Sequence, residues 1–483
     1  MKSNLLLAAL ALFFCANLAF AQQPSIQYFR PWDQEGINQF EPSKKAEQPE
    51  YTGFKIRIGG AFTQTFQSIT HENSPNTISP TNKNILYGVV KTEDSTSATL
   101  TGFNLAMANL NLDFQISDGI RVGLENYMSS RHHSEFWVKG GYIQIDKLPM
   151  FGNPKWFNNY LRVKIGHFQP NYGDMQFRRQ DGGNAMFNPF VENYILDAFT
   201  TEIGGEVYVF PAEGFMAMVG MNSGFINGNV ENYPEGNNNF GVVPTKKSPS
   251  ITAKLAYDNT FDDLRIRLSA SFYNNSNSAR NTLYAGDRTG SQYFLAMEPA
   301  IQANGSNTSM SAQFSSGRFN PNLANRVQSI MINPFVKYKG LEIFGAYEIV
   351  NGSVFGDTLN ATRPTWEKRN FNQISIEGVY RFLSREQVFV GVRYNTMTGE
   401  PQGLKYADLP LLANGSQNPL DDDKVGQAEV SIDRLAIAAG WFPTKNMLLK
   451  GEYVIQNFKD FPKADYRDAG KFSGFMIQAV IGF

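Results

Sequence analysis

The chain has one cysteine, Cys15, and only four histidines among its 483 residues. A lone thiol excludes an intrachain disulfide framework and a cysteine-built metal site. Charge of either sign is not in excess: 43 Lys and Arg stand against 44 Asp and Glu, a formal net charge of -1. That balance gives no basis for a nucleic-acid partner. Beyond residue 21, nothing approaches the run of about eighteen apolar residues that a transmembrane helix requires.

What is present begins with an export signal. Lys2 is followed by an apolar core over residues 5–14 and then Ala19, Phe20 and Ala21, a small-x-small cleavage pattern. Residues 1–21 read as a signal peptide, and the exported chain is expected to start near Gln22 without any cysteine. Cys15 follows Phe13 and Phe14, where a lipoprotein signal needs small residues, so a lipid anchor is not expected. Residues 22–50 read as an irregular periplasmic segment with a few aromatic anchors.

From Tyr51 onward the dominant period is two. The end of the chain is the clearest case: Phe475, Ile477, Ala479, Ile481 and Phe483 alternate with Met476, Gln478, Val480 and Gly482. A strand that stops on the last residue can close a barrel by pairing with the first strand, near residues 54–66. Phe475, Ile477, Ile481 and Phe483 resemble the C-terminal signal that the barrel assembly machinery reads. The alternative for this segment alone is a terminal strand buried in a soluble β protein.

The connections favour the barrel. About sixteen alternating segments follow Tyr51. Short turns such as residues 117–119, 211–214, 339–340 and 443–446 alternate with long polar stretches such as 68–101, 169–201, 222–248, 274–327 and 397–429. Outer-membrane barrels join strands by short periplasmic turns and long extracellular loops, with interfacial aromatic girdles that suit an aromatic content of 13%. The expected fold is therefore all-β, a transmembrane antiparallel β-barrel of about sixteen strands over residues 51–483. Two connections break the rule: a brief outer loop at 129–135 and a long inner turn at 146–160. A slip of parity between Met107 and Leu110 predicts a bulge near Asn109.

Turning the apolar parity outward assigns the other parity to the lumen. It collects Lys55, Arg57, Arg121, Arg162, Lys164, Lys254, Arg265, Arg267, Lys337, Arg381, Arg393, Arg434 and Lys450, against Asp113, Glu125, Glu206, Glu342, Glu348, Glu377 and Glu452. A basic excess in a nearly neutral chain favours anions in the lumen. Cross-strand pairing is the competing reading, since charged walls keep any wet barrel hydrated. Residues 169–201 mix aromatics, the Arg178-Arg179 pair, Asp181 and the glycines 182 and 183, which suits a third loop folded inward to narrow the pore.

The run from Leu161 through Arg162, Lys164, Gly166, Phe168 and Pro170 to Tyr172 and Gly173, after the strand Gly141-Tyr142-Ile143-Gln144-Ile145, resembles the phosphate-selective porin O and P family. The resemblance covers some forty residues closely. It implies a sixteen-stranded homotrimeric porin whose third loop is the constriction. Tyr172, Arg178, Arg179 and Asp181 would then lie near the eyelet, with Arg162 and Lys164 on the wall beneath. The lumen bases are spread among acids, which sets this chain apart from a phosphate-specific basic ladder.

Other chemistry is declined. His71, His132, His133 and His167 have no nucleophile motif beside them, and the first three are expected in or beside outer loops as surface residues. Residues Asp421 to Asp423 read as a solvated acidic tip rather than a cation site. No catalytic residue, metal or cofactor is assigned. The expected function is an outer-membrane porin for small hydrophilic or anionic solutes, in contact with lipid and lipopolysaccharide. The alternative is a barrel plugged by residues 22–49 or 274–327 that serves as a structural or assembly partner.

Overall fold

The computed structural model describes residues 23–74, 85–89, 96–129, 135–180, 185–226, 228, 248–278, 280–285, 291–302, 305–310, 315–354, 368–402, 405–406, 426–463 and 465–483. The first wall strands are β1 (Lys55–Glu72), β2 (Ser97–Phe103), β3 (Met107–Ser117), β4 (Ile120–Ser129), β5 (Glu135–Ile145), β6 (Leu161–Phe168), β7 (Glu202–Val209) and β8 (Phe215–Asn222). They are followed by β9 (Ser250–Phe261), β10 (Leu264–Asn275), β11 (Arg326–Tyr338), β12 (Leu341–Ser353), β13 (Arg369–Phe382) and β14 (Val388–Gly399). A two-residue hairpin, β15 (Lys405–Tyr406) with β16 (Gly426–Gln427), stands apart from the wall, which resumes with β17 (Val430–Thr444), β18 (Met447–Lys459) and β19 (Lys471–Gly482).

Sequential strands pair antiparallel around the wall, and β19 returns to β1, from Gly482 opposite Ala61 to Lys471 opposite Glu72. The backbone of Phe483 completes the seam, exchanging both hydrogen bonds with Gly60 at 2.9 and 3.0 Å. A closed sheet has no edge to attract another chain. The two strands that follow β1 share one place in the wall: β2 pairs with its outer half, Phe103 opposite Phe66, and β3 with its inner half, Gln115 opposite Lys55. Counting them as one stave gives a sixteen-stave barrel.

The expected bulge near Asn109 is instead a break of the strand at residues 104–106. Asn109 itself is in register, opposite Ala61 and Tyr127. At the break the backbone N–H of Asn104 bonds to the Thr65 carbonyl at 2.8 Å, and its side chain donates to the Gln292 carbonyl at 2.5 Å. Local sequence shows the change of parity but not which residue leaves the ladder, because an interior loop holds it.

The wall is apolar outside and polar inside, which strand periodicity produces when the solvent outside is hydrocarbon. On β13, Ile374, Ile376, Tyr380 and Phe382 face out, while Gln373, Ser375, Glu377 and Arg381 are buried within. On β19, Phe475 and Ile477 are each 46% exposed and Gln478 is 0% exposed, bonding to Thr65 at 3.0 Å. The long inner connection, residues 146–160, carries the short helix α1 (Lys155–Tyr160).

The apolar core lies inside the barrel. Tyr172, Met175, Val191, Tyr194, Ile195 and Leu196 of the third loop pack with Tyr293, Met297 and Phe319 of residues 276–325 and with Phe335, Phe344 and Phe371 of the wall. Truncating one such buried aromatic to alanine costs about 3–5 kcal/mol. Inward folding of these loops is therefore a stable part of the architecture.

Candidate functional site

Inside the barrel, the wall cations meet partners brought from three places: neighbouring strands, the third loop and the N-terminal segment. Arg121 on β4 bonds Asp113 on β3 at 2.8 Å and Gln144 on β5 at 2.9 Å. Arg162 on β6 bonds Asp146 at 2.8 Å, and Arg265 on β10 bonds Asp258 on β9 at 2.7 and 2.8 Å. Arg393 and Arg434 donate to backbone carbonyls of Glu192 and Asn193, and Arg434 also to Gln456. Lys55 donates to the Ser25 carbonyl at 3.1 Å, and Arg57 lies over the Phe29 ring at 4.7 Å. Cross-strand pairing alone, the competing reading of the sequence, accounts for only some of these contacts. Backbone carbonyls of inserted loops account for much of the rest.

The third loop spans the lumen. Tyr172 donates its hydroxyl to Glu348 on β12 at 2.9 Å, and its burial raises that hydroxyl's pKa. Arg178 is buried against Glu377 on β13, at 2.6 and 2.9 Å, with Glu342 at 3.8 Å. Arg179 bonds Asp197 within the same loop at 2.6 Å. Burial alone would raise Asp197, but Arg179 and Arg318 outweigh it and hold the carboxyl below the usual range. Further along, Val191 N–H reaches Glu452, Ile195 N–H reaches Asn395 and Leu196 N–H reaches Gln373, each at 2.7–2.8 Å. Asp181, Gly182 and Gly183 lie outside the described residues.

Residues 23–50 enter the barrel from the short-turn end. Gln27 accepts from Gly119 N–H at 2.7 Å, in a turn whose Gly119 has φ +73°, where an added Cβ would strike Lys147 at 2.4 Å. Asn38 donates to Glu342 at 2.6 Å and also meets Arg178. Glu41 reaches deepest into the wall, pairing with Lys254 on β9 at 2.8 Å and Arg267 on β10 at 2.7 Å. Asp174 of the third loop binds both of those cations as well, each at 2.7 Å. Burial pushes the carboxyls of Glu41 and Asp174 up, but Arg267 and Lys254 overcome it and hold both low.

Lys44 pairs with Asp146 at 3.1 Å beside the Tyr28 ring. Burial lowers Lys44 to about 8 despite the opposing pull of Asp146. Burial, together with Asp146, pushes Tyr28 up to about 12. Arg30 is lowered to about 9 by burial and by the neighbouring Arg178. It donates to the carbonyls of Gly36 at 2.9 Å and Phe177 at 2.8 Å, and stacks on Phe187 at 3.9 Å.

Beside this packing, the described residues enclose two spaces of note. One, of about 790 Å³, is a vestibule at the short-turn end between residues 39–49 and the turns after β7 and β9. The other, of about 210 Å³, lies between the third loop, the N-terminal segment and the wall from β3 to β6. Arg30, Arg121, Lys139, Lys164 and Arg179 line it, against Asp113 and Glu125. Among the sequence-assigned residues, the structure thus brings Arg121, Glu125, Lys164 and Arg179 to one cavity. Tyr172 and Arg178 are anchored elsewhere, against the β12–β13 wall.

Arg30, Glu41, Lys44, Asp174 and Asp197 were not singled out in the sequence. Nothing local marks them, since their neighbours in space are distant in the chain. His71 corrects an expectation: it is buried inside the barrel, bonding the Tyr87 carbonyl at 2.8 Å and accepting Met297 N–H at 3.0 Å. His167 meets Thr201 at 3.0 Å, while His132, His133 and Asp421 to Asp423 lie outside the described residues. Among the described residues, no group of three His, Cys, Asp or Glu is placed to hold a metal ion.

No family model matches the chain, and no curated protein does. Solved structures resemble it at low identity and with TM-scores below 0.5. The outer membrane channel DcaP of Acinetobacter baumannii is 12% identical with a TM-score of 0.49, over 91% of this chain and 100% of that one. An anion-selective porin from Comamonas acidovorans is 12% identical with a TM-score of 0.48, over 89% and 100%. Pseudomonas putida OprB is 11% identical with a TM-score of 0.46, over 89% and 94%.

Proposed function

We propose that the protein is an outer-membrane porin through which small hydrophilic solutes diffuse passively, with a preference for anions. The observation that carries this reading is the 210 Å³ space between the third loop and the wall, lined by five cations and two carboxylates inside an inside-out barrel. Such a passage focuses a positive potential along the solute path. In this reading the third loop, with Tyr172, Arg178, Arg179 and Asp181, is the constriction. The chain is exported by residues 1–21 and folded by the barrel assembly machinery through Phe475, Ile477, Ile481 and Phe483. It stands in lipid and lipopolysaccharide as a homotrimer, as the resemblance to the phosphate-selective porin O and P family implies.

Planar-bilayer recording across a potassium chloride gradient tests the reading. Discrete channels with an anion-favouring reversal potential are expected. An absence of channels overturns the porin, and a cation-favouring potential overturns the anion preference alone.

A second reading has its own observation: residues 23–50 are seated in the lumen on buried ion pairs. A barrel plugged in that way would be a structural or assembly partner. It predicts near-silent full-length protein and a large rise in conductance when residues 23–50 are deleted.

A further inference from the structure

Of the five cations around the 210 Å³ cavity, Lys139 lies 5.3 Å from the Phe199 centroid and the other four fall into two chemical groups. Arg121 and Arg179 are neutralised by carboxylates, Asp113 at 2.8 Å and Asp197 at 2.6 Å. Arg30 and Lys164 are held by aromatic rings instead. The Arg30 guanidinium sits 3.9 Å from the Phe187 centroid and 5.7 Å from that of Phe177. The Lys164 ammonium sits 4.3 Å from the Tyr142 centroid and 4.2 Å from that of Phe168.

A ring face attracts a cation through its quadrupole but carries no net charge, so neither cation has a carboxylate in contact with it. Arg30 spends Nε and one Nη on the carbonyls of Gly36 and Phe177, leaving its Nη1 without a hydrogen bond. The Lys164 ammonium has no hydrogen bond or contact ion pair among the described residues. Glu206, opposite it in register, and Glu125 act on the ammonium only at longer range, and the Glu206 oxygens accept instead from Tyr208 at 2.6 Å and Asn171 N–H at 2.6 Å. Two cations with spare donors therefore line one small space, where an unmet donor is costly and an anionic oxygen satisfies it.

The remaining lining selects the kind of anion. Trp32, Tyr142, Phe168, Phe177 and Phe187 supply flat apolar faces around the same space. An inorganic oxyanion needs donors on every side, whereas these two donors and the rings suit one carboxylate with a flat apolar body. A volume of about 210 Å³ is the room of roughly seven waters, which fits a small monocyclic acid.

We infer that Arg30 and Lys164 form a binding site for small organic carboxylates with a flat apolar body, and that the N-terminal segment supplies half of it. The solute would bind with its carboxylate between the two cations and its body against the rings. This deepens the porin reading by naming a solute class, and rests on it for transport, though not for binding.

Calorimetric titration of the full chain in detergent, with benzoate as the probe, tests the site whether or not the barrel conducts. Benzoate is expected to bind at least tenfold tighter than acetate or inorganic phosphate. Arg30→Met and Lys164→Met should each weaken benzoate at least tenfold, Lys164→Arg should retain most of the binding, and Lys339→Met, in an exposed turn outside the cavity, should change nothing. Heat-modifiable gel mobility confirms that each variant has a folded barrel. No benzoate binding, binding indifferent to both Met variants, or phosphate binding as tightly as benzoate overturns the inference. Silent bilayers with intact benzoate binding would overturn the porin reading and leave the site standing.

Discussion

Glu41 of the N-terminal segment and Asp174 of the third loop share the same two wall cations, Lys254 and Arg267, at 2.7–2.8 Å. Two acids and two bases form one buried quartet in which segment, loop and wall hold each other. Removing one member leaves a buried charge with half its partners. Glu41→Gln should therefore loosen the segment by about 3–5 kcal/mol. Faster proteolysis within residues 23–50, with an unchanged barrel core, is the expected outcome.

Lys44 makes the seating of that segment depend on pH. The groups facing its ammonium are Asp146, Arg162, Lys147 and Tyr28. Its pKa falls from 10.5 to about 8 in the fold, so the unfolded chain holds more protons between those values. Stability therefore rises with pH from about 8 to about 10.5. Tyr28, raised from 10.0 to about 12, works in the opposite direction from about pH 10 upward. Protection of residues 23–50 from protease should increase between pH 7.5 and pH 10, and Lys44→Met should flatten the dependence.

Glu298 sets a second window, at the other end of the barrel. Burial raises its carboxyl from 4.5 to about 7, opposed in part by the Ser316 hydroxyl at 2.9 Å. The folded chain binds the extra proton, so this contribution is complete below about 4.5 and is lost as pH rises through 7. Hydrogen exchange in residues 291–302, corrected for its intrinsic rate, should speed up from pH 5 to pH 7.5. Glu298→Gln should remove the change.

The inside-out parity is testable on β13. Ile376 faces out near the middle of the strand and Asn372 faces out nearer its end. Arginine at a lipid-facing midplane position costs about 2–4 kcal/mol and near an interface about 0–1 kcal/mol. Ile376→Arg should lower unfolding stability in lipid much more than Asn372→Arg does.

Phe483 separates assembly from stability. Its backbone closes the seam with Gly60 while its ring points outward. Phe483→Ala keeps the backbone pair, so refolded barrel should melt within a few degrees of wild type. If the ring is part of the assembly signal, the yield of folded barrel in cells should fall severalfold.

The sequence by itself determined the wall. Period-two alternation is a local property, and it sorted Phe475, Ile477 and Ile481 from Gln478 and placed Arg121, Lys164, Arg393 and Arg434 on the inner face. It also marked residues 169–201 as the loop that turns inward. What those inner charges bind was decided only by the tertiary structure, because their partners are remote: Arg267 and Glu41 are 226 residues apart. The same holds for the N-terminal segment, whose irregular sequence has no period to show that it lies within the lumen. Its place there follows from burial: the cations of a closed wall must be met from inside, and Glu41, Asp174 and the carbonyls of the third loop are what reach them.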